Sequence, residues 1–326
     1  MADVVRWGIL GASDFARNHM GPAIHAARGA DLVALATTSP DKAGGFRAFA
    51  PGLRVHDRYD ALLADPGIDA VYIPLPNHLH VDWTIKALAA GKHVLCEKPI
   101  ALAEADFDRL IAARDKAGLL AAEAFMIVHH PQFIRAREMV QGGALGDLRH
   151  VDCIFSYNNA DDLTNIRNRR ETGGGVLPDI GVYAFGAARF VTGADPVAVP
   201  YADVRRENGV DVFVRMAADF PAFSYTSLVS MRLFNRQHIA FHGTDGLLTL
   251  TCPFNAGVHD QAEIRLETSG GRVTIERFPG VNHYVRQVEN FGASLRDGTA
   301  YPCPLEFSRG TQAMTDMVYA AGQADG

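Results

Sequence analysis

The fold class predicted for this 326-residue chain is an α/β domain built on a parallel sheet, followed by an α+β domain with a large, mostly antiparallel open sheet. Three observations carry the prediction. Between Val4 and Phe125, short apolar runs alternate with amphipathic stretches of helical length, the pattern of βαβ units. From Leu148 onward the pattern becomes period-two alternation, as in Val151, Cys153, Phe155 and Tyr157. A glycine turn, Gly8-Ile9-Leu10-Gly11-Ala12-Ser13, lies directly between the first apolar run and a helical stretch. A chain of this length fits two domains, drawn at 1–125 and 126–326.

Taken in order, the first half predicts strands at 4–10, 32–36, near Val55, at 70–75, 93–96 and 119–125, with helices between them. Gly91 and Gly118 each follow a helical stretch, where a left-handed cap costs little. In the second half, Val212, Val214, Met216 and Ala218 repeat the alternation. Thr244-Asp245-Gly246 and Ser269-Gly270-Gly271 are turn signals between strand-like runs, so a hairpin-rich sheet is expected. Two helices close the chain: one carries Tyr284, Val288, Phe291 and Leu295 on a single face, and the other covers about 307–322.

Composition narrows the function classes. Hydrophobic residues are 48% and charged residues 21%, the mix of a chain that folds around a sizeable core. The net charge of -6, with no basic block, disfavours a nucleic-acid partner. Cys96, Cys153, Cys252 and Cys303 form no CxxC pair, which reads as buried, reduced thiols rather than a zinc ribbon or redox dithiol. Met1-Ala2-Asp3-Val4-Val5-Arg6 runs straight into a strand without an export signal, and no apolar run is long enough to span a bilayer. A cytoplasmic protein without a membrane or metal partner is expected.

The glycine turn fits a dinucleotide-binding Rossmann domain, in which the free N–H groups and positive dipole end of the helix hold a pyrophosphate. Gly11, Ala12, Ser13, Asp14 and Phe15 would form that end of the site. Ser13 stands where the fingerprint has its second glycine, a small residue whose hydroxyl can donate to phosphate. The second strand ends in Ala36-Thr37-Thr38-Ser39-Pro40-Asp41-Lys42. Thr37, Thr38, Ser39 and Lys42 thus occupy the place where NAD enzymes keep a carboxylate for the ribose, so NADP is preferred over NAD. An ordinary strand-to-helix turn and a polar helix start are the plainer readings of the two segments.

Cys96-Glu97-Lys98-Pro99 delivers a lysine at the carboxyl end of the fifth strand, where open α/β sheets bind ligands. Together with Trp7-Gly8-Ile9-Leu10-Gly11-Ala12, Pro76-Asn77-His78-Leu79-His80, Gly91-Lys92-His93-Val94 and Gly173-Gly174-Gly175-Val176-Leu177-Pro178-Asp179-Ile180-Gly181-Val182-Tyr183, it resembles the Gfo/Idh/MocA oxidoreductase family over nearly the whole chain. The resemblance implies a Rossmann domain, then a substrate-binding and oligomerisation domain, hydride transfer between a nicotinamide and a sugar or polyol, and a homodimer or homotetramer. Tyrosine at 183, with Glu123-Ala124-Phe125-Met126 and His130-Pro131-Gln132, is similar to the branch of glucose-fructose oxidoreductase, D-xylose dehydrogenase and dimeric dihydrodiol dehydrogenase. That branch usually has arginine where this chain has Val128.

The resemblance makes Lys98, Asp179 and Tyr183 the catalytic residues, and adds Leu75, Pro76, Asn77, His80, Glu97, Lys98 and Tyr284 to the cofactor site, with Gln287 close by. Asp179 and Tyr183 sit at i and i+4, so both can point from one helix face into one cleft. Tyr183 would act as general base toward a substrate hydroxyl. With an unperturbed pKa near 10, only about one phenol in a thousand is ionised at pH 7, so a cation such as Lys98 must help. An aldose 1-dehydrogenase or aldose reductase type of reaction is implied, with inositol or trans-dihydrodiol dehydrogenase as the alternative. Asn165, Arg167 and Arg169 could line the sugar pocket or form a solvated loop. Singly, Lys98 also reads as a surface lysine, Asp179 as a cap, Tyr183 and Tyr284 as core aromatics and His80 as a capping histidine.

Two other classes stay open at this stage. His78-Leu79-His80, His129-His130 and Asp161-Asp162 suggest a metal hydrolase, although no HExxH motif accompanies them. A non-catalytic NADP-binding regulatory protein would share the fold without turnover.

Overall fold

The computed structural model describes residues 4–322; Met1, Ala2 and Asp3, on which the reading of the N-terminus begins, and 323–326 lie outside the described residues. The chain divides into two compact units, one running to His129 and joined by 282–308, the other made of 130–281 and the chain from Arg309.

In the first unit, β1 (Val5–Leu10), β2 (Ala30–Ala36), β3 (Arg54–His56), β4 (Ala70–Ile73), β5 (His93–Cys96) and β6 (Ala121–Glu123) form one sheet in the order β3-β2-β1-β4-β5-β6. Every pairing is parallel, as the near-continuous apolar runs predict. The order reverses between β1 and β4, which opens a crevice outside the carboxyl ends of the strands. A wide π-turn, Ala16–Met20, leads into α1 (Gly21–Ala26), and α2 (Pro40–Arg47), α3 (Tyr59–Leu63), α4 (His80–Ala89) and α5 (Asp106–Ala117) follow. Gly118 ends α5 at φ +63°, the left-handed cap the sequence predicts.

The second unit has β7 (Leu148–Asn158) near its centre. With β8 (Ala198–Glu207), β9 (Val210–Asp219), β10 (Ser224–Ser230), β11 (Arg232–Gly243), β12 (Gly246–Leu250), β13 (Glu263–Thr268) and β14 (Arg272–Arg277) it forms a sheet in the order β14-β13-β12-β11-β7-β10-β9-β8. All pairings are antiparallel except β7 with β10. Val151, Cys153 and Phe155 of β7 and Val212, Val214, Met216 and Ala218 of β9 are buried, so the period-two series marks the covered face. Two helices, α6 (Pro131–Gln141) and α7 (Val182–Thr192), pack on each other, and α7 lies over β7.

The chain then returns to the first unit through α8 (His283–Asp297), before α9 (Leu305–Ala321) closes it. Consecutive domains would leave 282–308 in the second half; it packs with the first because the apolar face of α8 is covered there. Phe291 meets Trp7 with ring centroids 5.0 Å apart and Tyr301 at 5.7 Å, and all of α8's face from Tyr284 to Leu295 is buried. The four cysteines are unbridged and buried. Among the described residues, no helix is long and apolar enough to cross a membrane.

Candidate active site

At the carboxyl edge of the parallel sheet, Gly11 follows β1 at φ +110°, a conformation that side chains avoid. A Cβ there would come 3.0 Å from Leu75 Cδ2, so glycine keeps open the space between the first turn and the Leu75 loop. Ala12 and Ser13 are half-buried beside it. The Ser13 hydroxyl caps the helix by accepting from Ala16 N at 3.1 Å and keeps its own proton to donate. Asp14 is exposed and pairs with Arg17 at 3.0 Å. A glycine turn of this shape, opening on a helix start, fits a pyrophosphate.

After β2, Thr37 is buried and its Oγ1 accepts from Ser39 N at 3.1 Å, so this hydroxyl shapes the turn, whereas Thr38, Ser39 and Lys42 are exposed. Arg17, which sequence reading did not single out, lays its stem across Gly45 of α2; a Cβ there would stand 2.5 Å from Arg17 Cδ. The signal was a Gly44-Gly45 pair inside a helix, where glycine costs stability unless something approaches closely.

Leu75 is buried, and Pro76 and Asn77, half-buried, lead into the short turn Asn77–Leu79. His80, expected at the cofactor, opens the helix that follows this loop. Its ring is fully buried and both nitrogens are taken by main-chain carbonyls, Nε2 at 2.7 Å from Leu75 O and Nδ1 at 2.8 Å from Pro99 O. Neither nitrogen is left to face a ligand.

Glu97 follows β5. Its Oε1 accepts from the Tyr72 hydroxyl at 2.5 Å and its Oε2 from Lys98 N at 3.3 Å. Burial pushes this carboxyl up, and the Tyr72 bond and the Lys98 ammonium draw it back down. Tyr284, at the start of α8, packs edge-on against Phe15 at 5.6 Å; burial and then the Glu97 charge push its phenol up. The structure thus brings Tyr284, Phe15, Glu97 and Lys98 to one end of the sheet, with Gln287 buried a turn further along α8. Tyr72, a buried strand residue, was not legible as a site residue.

The second unit holds Asp179 and Tyr183. A π-turn, Leu177–Gly181, precedes α7, and both residues are buried, at 7% and 6% exposure. Asp179 Oδ1 pairs with Arg167 Nε at 2.8 Å, and Oδ2 accepts from the Tyr157 hydroxyl at 2.6 Å. The Asp179 charge raises Arg167 above its usual range, and burial, then the Asp179 charge, raises the Tyr157 phenol. The Tyr183 ring packs beside the stacked pair of Phe155 and Phe254, 6.1 Å from the first and 5.9 Å from the second.

The glycine triplet has a packing reason beyond opening a helix. At Gly174 a Cβ would come 2.5 Å from Arg167 O, and at Gly175, φ +132°, a Cβ would overlap the Asp211 carboxylate. Asp211 in turn accepts from Leu177 N at 2.7 Å and the Tyr319 hydroxyl at 2.8 Å, fixing the start of the π-turn. Of the three polar loop residues, Arg167 alone is shown meeting Asp179. Asn165 caps the turn Ile166–Asn168 by accepting from Arg167 N, and Arg169 pairs with Glu171. Tyr157 was legible only as a member of the alternating series.

The histidines that suggest a metal have other partners. His129 Nδ1 lies 2.8 Å from Asn290 Nδ2, and His130 Nδ1 accepts from Gln132 N at 3.1 Å as the cap of α6. Among the described residues, no three His, Cys, Asp or Glu side chains form a group that could hold a metal ion. Val128 is buried.

Comparison with known proteins places the two units. Residues 5–125 match the oxidoreductase family GFO_IDH_MocA with its NAD-binding Rossmann fold, and 133–249 match the GFO/IDH/MocA C-terminal domain. An uncharacterized oxidoreductase of Rhizobium meliloti is 37% identical over 98% of both chains. The NADP-dependent D-xylose 1-dehydrogenase 2 of Haloferax volcanii is 33% identical over 97% of both. A 3-ketoreductase from Actinomadura kijaniata, crystallised with NADP and TDP-benzene, superposes with a TM-score of 0.88 at 28% identity, covering 98% of both chains. With both of its units matched and relatives of this likeness along its length, the chain belongs to the GFO/IDH/MocA family of oxidoreductases.

Proposed function

We propose that this chain is an NADP-dependent oxidoreductase that interconverts a hydroxyl and a carbonyl on a sugar, with Tyr183, Lys98 and Asp179 as its catalytic residues. The observation that carries the reading is the buried pair Asp179 and Tyr183 on consecutive turns, the aspartate held by Arg167 and Tyr157. When bound, the nicotinamide supplies or accepts the hydride. Tyr183 exchanges the proton of the substrate oxygen. Lys98, from the end of β5, provides the cation that favours the phenolate and polarises that oxygen. Asp179 enters the site oriented on both oxygens, which suits it to fix a sugar hydroxyl. Gly11 to Phe15 cradle the pyrophosphate, with Thr38, Ser39 and Lys42 set for the 2'-phosphate.

For the substrate, an aldose oxidised or reduced at its first carbon is the reading we carry, supported by likeness to the D-xylose dehydrogenase. Likeness to the 3-ketoreductase supports a second, a nucleotide-linked ketosugar. A panel of aldoses, inositols, trans-dihydrodiols and a dTDP-linked ketosugar, each assayed with NADP and NADPH, tests both. Tyr183→Phe and Lys98→Met should each lower kcat by about 10² to 10⁴. Wild-type turnover in both variants would remove these residues from the chemistry, and no turnover across the panel would sink the substrate class.

A further inference from the structure

His80 opens α4 with its ring fully buried between two carbonyl oxygens, Leu75 O at 2.7 Å from Nε2 and Pro99 O at 2.8 Å from Nδ1. A carbonyl oxygen accepts and cannot donate. A neutral imidazole has one N–H and one bare lone pair, so either tautomer would set that lone pair against a carbonyl at hydrogen-bond distance. Only the doubly protonated ring donates to both. We infer that His80 is held as an imidazolium that fastens the Leu75 loop to the Lys98-Pro99 segment, which makes it a positioning residue for Lys98. The role assigned to it rests on the reading of Lys98 as a catalytic lysine.

The bonds around the segment support the same role. Lys98 N donates to Glu97 Oε2 at 3.3 Å, Pro99 O accepts from His80, and Ile100 N donates to Glu123 Oε1 at 2.9 Å. Three successive residues are therefore each tied to a side chain on a different part of the sheet edge, with α4 supplying the middle tie. This leaves the main chain beneath the ammonium little freedom, as pre-organisation of a reacting group requires.

The charges facing the ring are accountable. Burial holds this ring below its usual range; the carbonyls of Pro99 and Leu75 oppose that shift, and the Lys98 ammonium and His78 add to it. Among neighbouring acids, Glu97 at the end of β5 is bonded by Tyr72, Glu123 at the end of β6 by Ile100 N, and Asp82 of α4 by Arg109 of α5, which also lies 3.6 Å from Asp106. Against that lowering stands the geometry, an acceptor at each nitrogen, since loss of the second proton would leave a carbonyl facing a bare nitrogen in a dry site.

Imidazole nitrogen NMR of the full, histidine-labelled chain tests this. Among its 13 histidines, the His80 signals are those that vanish in His80→Gln. Two protonated nitrogens on this ring above about pH 8, where ordinary histidines have lost one proton, is the expected result; a single proton there overturns the inference. Should the variant not fold, the wild-type spectrum decides by whether any ring keeps both protons at that pH. In kinetics, His80→Gln should lower kcat by about tenfold or more, yet by less than about twofold when added to Lys98→Met. Losses that simply multiply would overturn a role exerted through Lys98. The proton count is read without turnover, so an inactive wild-type chain would count against the functional reading alone.

Discussion

Glu97 in the first unit and Asp179 in the second each accept from a tyrosine hydroxyl, and they differ in what else they meet. Glu97 has Tyr72 and the amide of Lys98; Asp179 has Tyr157 and a guanidinium. Removing the Tyr157 hydroxyl strips one donor from a charged group, worth about 1.5 to 3 kcal/mol, so Tyr157→Phe should lower kcat roughly 10- to 100-fold with the fold intact by circular dichroism. An unchanged kcat would show that Asp179 does not depend on the Tyr157 hydroxyl for its position. His129 and His130 make a different prediction, since burial pushes them down to about 3 and about 4. Unfolded, each takes up its proton near pH 6.5. The stability gained by keeping them neutral is complete above that pH and is lost as pH falls toward 4 and then 3, at about 1.4 kcal/mol per unit for each ring. His129→Phe should therefore show a shallower acid limb in a plot of unfolding free energy against pH, and a parallel limb would contradict the assignment. Lys98, Asp179 and Tyr183, catalytic in our proposal, could be singled out in the sequence because each sits in a short motif. Tyr157 and Tyr72 could not, because a strand tyrosine in an apolar series looks like packing, and only the folded chain shows the acid it meets.

Among the elements, α8 has the clearest consequences. Its cap, Asn282, accepts from both Tyr284 N and Val285 N, so Asn282→Ala should cost about 1 kcal/mol. Phe291→Ala should cost about 3 to 5 kcal/mol and alter the fluorescence of Trp7, whose ring it touches. Normal stability and an unshifted emission would show that this face is not what secures the segment. Periodicity made the helix legible, down to the stripe of Tyr284, Val288, Phe291 and Leu295, but a stripe does not say which core it covers. The same limit applies to the second sheet. Alternation located β7 and β9, and the Thr244-Asp245-Gly246 and Ser269-Gly270-Gly271 turns located two hairpins, whereas the parallel pairing of β7 with β10 joins strands far apart in the chain and leaves no local mark. In the first sheet, six apolar runs alternating with helical stretches were enough, because right-handed crossovers restrict how such units can be wound.

For the whole molecule, the proposed cofactor predicts a thermodynamic signature. NADPH at 100 times its dissociation constant should stabilise the folded chain by about 2.7 kcal/mol, seen as a rise in Tm, and NADH at the same concentration should give less. Equal shifts would remove the case for a 2'-phosphate site at Thr38, Ser39 and Lys42. The division of the chain has a further outcome. Because α8 belongs with the first unit, the polypeptide passes between the units at 129/130, 281/282 and 308/309. A gene fragment stopping at residue 125 would encode a sheet whose Trp7 has no Phe291 to cover it. During synthesis, too, the earliest strands leave the ribosome long before their covering helix has been translated, so the half of the protein made first is the half that must wait for a late piece to be finished.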